Sequence, residues 1–186
     1  MSRRAYIFSG NETVRAPLLF WLEDHGFNRH RDIVEIHEPR DQCVAYSAGI
    51  RKAIDDKVDM AVFCDSDALP SAAKTDVFFK ENKYHLQCVR YETESLHSFD
   101  RHDAFHSLIW RASREVLLKI EQNAIKTGTK LCEWLTSEDG SMITECACKS
   151  IARHAKQCGL STGWIGNAGH APRTKPLVPR ICIYGA

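Results

Sequence analysis

Short unbroken apolar runs alternate with amphipathic stretches through the first half of the chain, and the two patterns predict different elements. Ala5 to Phe8 is an apolar run that ends in Ser9-Gly10-Asn11, a first strand followed by a loop whose backbone a ligand can approach closely. Val14, Leu18, Trp21 and Leu22 then recur at helical spacing, and the helix they predict stops near Gly26. Ile33-Val34-Glu35-Ile36 reads as a second strand, leaving through His37-Glu38-Pro39. From Gln42 to Asp55 a helix is expected, with Ala45, Ala48 and Gly49 close together on one face, small enough for tight packing on a sheet. Met60-Ala61-Val62-Phe63-Cys64 has no polar alternation, the mark of a strand covered on both faces. A helix after Pro70, running through Phe79, completes a βαβαβα order whose short connections predict a right-handed, mostly parallel sheet.

The second half is less regular. His85 to Tyr91 alternates weakly as a strand, Ser95 to His106 is polar and histidine-rich like an ordered surface loop, and Phe105 to Trp110 predicts another strand. A helix begins at Arg114. A second, long helix is expected from Glu138 to about Cys158, capped by Ser137, because Ile143, Ala147, Ile151 and Ala155 repeat every four residues. Gly159 ends it, and Ser161 to Ile165 forms a last short strand before a loop at Gly166 to His170. Three of the six prolines, Pro172, Pro176 and Pro179, fall in the tail. The expected organisation is one domain over residues 1–186: a nucleotide-binding half to about residue 84, an acceptor-side half over about 85–170, and a proline-containing tail over 171–186.

Composition narrows the class. Twenty-five basic residues against 24 acidic ones give a formal charge of +1, so no global field marks the chain for nucleic acid or an acidic membrane. Met1-Ser2-Arg3-Arg4 runs straight into the first strand with no long apolar segment, and a cytoplasmic location without a membrane span is the expectation. The eight cysteines read as reduced thiols. A zinc site among Cys132, Cys146, Cys148, His154 and Cys158 is disfavoured, because two cysteines two apart on a helix point about 200° from one another.

The candidate chemistry begins where the third strand surfaces, at Asp65-Ser66-Asp67. Open α/β sheets bind ligands beyond the carboxyl ends of their strands. Two carboxylates there suit a hard divalent cation that takes its other ligands from a phosphate and water. The stretch Asp59 to Pro70, DMAVFCDSDALP, resembles the D-x-D region of nucleotide-sugar glycosyltransferases of the GT-A fold. Later landmarks follow in that family's order. Leu108 to Leu117 is similar to its strand-to-helix stretch, Ser137-Glu138-Asp139 to the acidic motif that opens a helix beneath the acceptor site, and Gly159 to Trp164 followed by His170 to its closing segment.

The resemblance implies a single-domain GT-A (Rossmann-like) α/β fold and a metal-dependent transfer of sugar from a nucleoside diphosphate, with a UDP-sugar favoured as donor and manganese or magnesium as the metal. Asp67 would bind the metal directly, Asp65 would reach the metal or the ribose, and His170 would close the metal site. An imidazole in that set favours manganese. Ser9, Gly10, Glu38, Arg40 and Ser66 would hold the nucleotide, with Arg15 and Arg51 as further phosphate candidates. Asp139, beside Glu138, would take the proton from an acceptor hydroxyl in an inverting displacement, whereas retaining members use a similarly placed acid differently, and the stereochemistry stays open. Trp134 is a candidate to stack on a sugar, and equally a core aromatic. The acceptor stays open between a modified DNA base, a glycan and a small molecule.

Other readings of D-x-D fare worse. An EF-hand needs glycine where Pro70 stands and glutamate where Asp76 stands. Dehalogenase-like phosphatases carry their motif on the first strand. A nucleotidyltransferase or metal-dependent phosphotransferase on a related sheet, or a non-catalytic nucleotide-sugar binder, remains the alternative, although Ser9-Gly10-Asn11-Glu12 supplies no glycine-rich loop with lysine.

Overall fold

The computed structural model describes residues 1–10, 14, 16–38, 41–70, 77–80, 82–91, 105, 108–136 and 143–170. Among them lie strands β1 (Arg3–Ser9), β2 (Ile33–His37), β3 (Met60–Asp65), β4 (Ala68–Pro70), β5 (Leu86–Tyr91), β6 (Ile109–Ser113), β7 (Leu135–Thr136), β8 (Ile143–Glu145) and β9 (Thr162–His170). The helices are α1 (Ala16–Asp24), α2 (Gln42–Asp55), α3 (Val77–Lys80), α4 (Arg114–Thr127) and α5 (Ala147–Gln157).

Seven of these strands form one sheet in the order β2-β1-β3-β6-β5-β9-β4. Strands β2, β1, β3, β5 and β9 share one direction, while β6 and β4 run against them. The sheet is therefore mixed and mostly parallel, the α/β class expected from the sequence. The unbroken apolar run of β3 divides by parity. Ala61 and Phe63 join a core with α2, α4 and α5 on one face. Val62 and Cys64 join a core with α1 and Phe78 on the other. A strand apolar at every position is what two covered faces require.

Helices α1 and α2 thus lie on opposite faces, as two right-handed crossovers demand when the chain steps from β1 out to β2 and back over β1 to β3. Helix α2 starts where Asp41 accepts from the Cys43 and Val44 amides at 2.7 and 3.4 Å. It lies so close on the sheet that a Cβ at Gly49 would sit 2.5 Å from Phe8 Cε1. Glycine is needed there for lack of space. At the end of α5 it is needed for conformation: Gly159 has φ +68°, and the Leu160 amide reaches back to the Ala155 carbonyl at 2.9 Å, a Schellman stop.

Three expectations are corrected. The long helix from Glu138 does not form: Ile143–Glu145 is a strand antiparallel to Leu135–Thr136, Cys146 is extended at φ −136° and ψ 177°, and the helix starts at Ala147. The period of four held for Ala147, Ile151 and Ala155, but Ile143 and Thr144 are β-branched, and Ile143 pairs across to Thr136 on β7. The strand expected at Phe105 begins instead at Ile109 and runs to Ser113, set by its pairing with β3 from Cys64 to Met60. The loop expected at Gly166 to His170 continues β9, because β5 and then β4 pair with it. Ala68–Pro70, to which the sequence pattern assigns no element, is the edge strand of the described sheet, one of the few places in a sheet that tolerate proline. Of the helix expected after Pro70, Val77–Lys80 is present and 71–76 lies outside the described residues, as does most of the Ser95–His106 loop.

Two outcomes test this packing. Gly49→Ala should lower stability by about 1–3 kcal/mol through overpacking against buried Phe8, read from urea unfolding; an unchanged midpoint would mean that α2 lifts freely from the sheet. Asp32, just before β2, accepts from Arg31 Nε and Nη2 at 2.8 and 2.9 Å and from the Asn28 amide at 2.9 Å. The Arg31 guanidinium holds its carboxyl down to about 2. A depressed folded pKa stabilises above the unfolded value of about 4 and is lost as pH falls through the folded one. Asp32→Asn should therefore melt below the wild type at pH 6 and converge with it near pH 2; a gap independent of pH would rule this out.

Candidate functional site

Strand order 2-1-3 places the point where successive connections part between β1 and β3. Open α/β sheets leave their ligand crevice at such a point, beyond the carboxyl ends of the strands. Three predicted groups converge there. Ser9 ends β1 and pairs with His37, the last residue of β2, while Phe8 pairs with Asp65, the last residue of β3. The Glu38 amide donates to the Ser9 carbonyl at 3.1 Å, and Ser9 Oγ lies 3.4 Å from His37 Nδ1. Ser9 is buried, Glu38 half-buried and His37 exposed, so the β2 exit faces outward while the β1 exit forms the floor. A Cβ at Gly10 would meet nothing within 4 Å, which leaves open space above the backbone at the mouth of β1.

The turn at Asp65-Ser66-Asp67 is tied to the strands on both sides. The Asp65 amide donates to the Leu108 carbonyl at 2.9 Å, just before β6, and the Ser66 amide to the Phe8 carbonyl at 3.0 Å on β1. Tyr46, wholly buried on α2, donates its hydroxyl to Asp65 Oδ1. Asp65 is half-buried, and Ser66 and Asp67 are both buried at 6% exposure. A carboxylate so withdrawn from water interacts strongly with any positive charge brought to it.

Beyond the turn the chain enters β4, where Ala68 is the register partner of His170 on β9. The backbone thus brings His170 beside the residue that follows Asp67, from the far end of the described sequence. Among the described residues no three His, Cys, Asp or Glu side chains gather into a metal centre. The two carboxylates of the turn are of the oxygen-donor type that a hard divalent cation such as manganese or magnesium takes.

Other predicted residues fall elsewhere. Glu138, Asp139, Arg15 and Arg40 lie outside the described residues. Since α5 starts at Ala147, that helix is not opened by Glu138 and Asp139. Arg51 faces α4, with Nε 3.5 Å from Glu121 Oε1. Trp134 donates its indole N–H to the Asp41 carboxylate at 3.1 Å and packs on the core, which favours its structural role. It links the second half of the chain to the N-terminal end of α2.

The seven described cysteines are thiols, none of them in a disulfide. Burial pushes the Cys43 and Cys64 thiols up, and Cys132 up to about 12. These thiols stay protonated and poorly nucleophilic at neutral pH. Sequence reasoning missed Tyr46: a tyrosine on the buried face of a helix carries no local sign of its partner, 19 residues later.

No protein-family model matches the chain, and no curated protein matches it. Solved structures do. A197 from STIV is 17% identical, with a TM-score of 0.57 over 93% of this chain and 87% of that one. The mannosyltransferase PcManGT from Pyrobaculum calidifontis, solved in complex with GDP-Man and Mn2+, is 13% identical, with a TM-score of 0.52 over 94% of this chain; the match spans 58% of its own length. At these identities the shared property is the fold. This chain carries the mixed, mostly parallel, Rossmann-like α/β sheet that a GT-A domain has.

Proposed function

We propose that the chain is a metal-dependent glycosyltransferase that moves a sugar from a nucleoside diphosphate, a UDP-sugar first among candidates, to an acceptor hydroxyl. The observation that carries this reading is the convergence of Ser9, Glu38 and the Asp65-Ser66-Asp67 turn at the β1/β3 switch point, with His170 in register beside the turn. The shared fold supports it, and the GDP-Man and Mn2+ bound by the mannosyltransferase show what ligands one such sheet accepts.

In this reading Asp67 and His170 hold the cation directly, and Asp65 reaches it or the ribose. When bound there, a divalent cation offsets the negative charge that the diphosphate gains as it leaves. Glu38 faces the base or ribose from the exit of β2, and Ser9, Gly10, Ser66 and Arg40 line the path of the nucleotide. Asp139 accepts the proton of the attacking hydroxyl while the bond to the diphosphate breaks, an inverting displacement. The acceptor is a modified DNA base, a glycan or a small molecule; the near-neutral chain argues against a binding mode that rests on phosphate contacts alone.

The test is a panel of uridine- and guanosine-diphosphate sugars with Mn2+, followed by calorimetry and by release of free nucleoside diphosphate. Binding of at least one donor that Asp67→Asn abolishes is expected; equal affinity in that variant would remove the metal assignment. Asp139→Asn should keep donor binding and lose about 10²–10⁴-fold in transfer, and wild-type turnover would exclude it as the base. A donor that binds without turnover on any acceptor would point to a binder instead.

A further inference from the structure

Two buried tyrosines, Tyr6 on β1 and Tyr46 on α2, each send their hydroxyl to an aspartate, one near each end of α2. Tyr6 donates to Asp56 Oδ2 at 2.9 Å, just beyond the last turn of α2. Asp56 is there matched by Arg4 at 2.9 Å and Lys52 at 3.2 Å, a closed ion cluster that ties the helix end to β1. Tyr46 lies ten residues earlier, about 15 Å along the helix, and its hydroxyl goes to Asp65 at the end of β3. The first arrangement holds a helix end, and the second holds a residue of the candidate site.

Tyr46 is anchored for that task. Its ring lies over Phe8 at 4.0 Å between centroids, and Phe8 is the residue whose carbonyl accepts from Ser66. Gly49, one turn further along α2, lets the helix approach Phe8 closely enough for the phenol to reach β3. The ring belongs to the apolar core on that face, so phenylalanine would fill its space and lose only the hydroxyl. Asp65 is then fixed at three points: its amide on Leu108, the next amide on Phe8, and its carboxylate on Tyr46.

We infer that Tyr46 is a positioning residue of the donor site, fixing through its hydroxyl the Asp65 carboxylate that faces the cation and the nucleotide. The inference rests on the glycosyltransferase reading above. A carboxylate pinned through one oxygen keeps a single orientation, and losing such an outer partner typically weakens metal binding by about 10–100-fold.

The test is Mn2+ uptake by the full chain without donor, read from loss of the free-ion paramagnetic resonance signal. Tyr46→Phe should weaken uptake by about 10–100-fold, and Tyr6→Phe, which deletes the same atom at the other end of α2, should leave it unchanged. In an Asp65→Asn background Tyr46→Phe should cause no further loss, since it acts through that carboxylate. Wild-type uptake in Tyr46→Phe, an equal loss in Tyr6→Phe, or additive losses in the double variant would overturn the inference while leaving the metal assignment standing. A wild-type chain that takes up no Mn2+ would overturn both.

Discussion

The close seating of α2 on β1 and β3 is the constraint on which the rest of the site depends. A helix with an ordinary side chain at position 49 would stand further from Phe8, and the Tyr46 phenol would fall short of the end of β3. The seating is reinforced at both ends of the helix. Asp41 caps its start and also accepts the Trp134 indole, while Asp56, just past its end, gathers Arg4, Lys52 and Tyr6. Between these clamps Ile50, Ala53 and Ile54 are buried, so apolar burial supplies the driving force and the polar groups at the ends set the register.

An aromatic row crosses the sheet beneath this helix. Tyr46 meets Phe8 at 4.0 Å, Phe8 stacks on Phe63 at 6.0 Å, Phe63 on Trp110 at 4.1 Å, and Trp110 meets Phe105 edge-on at 5.3 Å. The row steps from α2 across β1 and β3 to β6, so the strands that end at the site share one rigid floor. Interiors packed this way transmit displacement instead of absorbing it. A shift of α2 is therefore felt at Asp65 by two routes, the phenol and the Phe8 backbone.

The first half of this architecture was legible because its determinants are local. The runs at Ala5–Phe8, Ile33–Ile36 and Met60–Cys64 and the helix from Gln42 to Asp55 carry their own periodicity, and βαβ connections leave little choice of topology. The second half depends on partners far away in sequence. Ala68–Pro70 is three residues long, and nothing in it marks a strand until β9 lies alongside. Strand β9 contains Gly163, Gly166 and Gly169, which lower its intrinsic strand tendency, and it forms through pairing with β5 and β4. The false helix at Glu138 has the same cause, because Ile143 fits both a period of four and a hairpin, and the sheet decides. Of the site, the acidic turn was visible as a motif. The phenol that holds it was not, since its hydrogen bond joins elements whose contact only the tertiary fold creates.

The pairing of Ala68 with His170 joins residues about a hundred positions apart. Among the described residues β4 bonds in the sheet to β9, so the strand that leaves the acidic turn gains this partner when β9 is in place. Contacts of such long sequence separation form late, because the closure entropy of the intervening chain precedes any gain from pairing. A chain emerging from the ribosome thus exposes both carboxylates well before the strand that closes their corner exists. Pairing of β9 with β4 thus completes this corner of the sheet and sets the His170 backbone beside the acidic turn in one step, and the order of synthesis delays that step until residue 170 has been made.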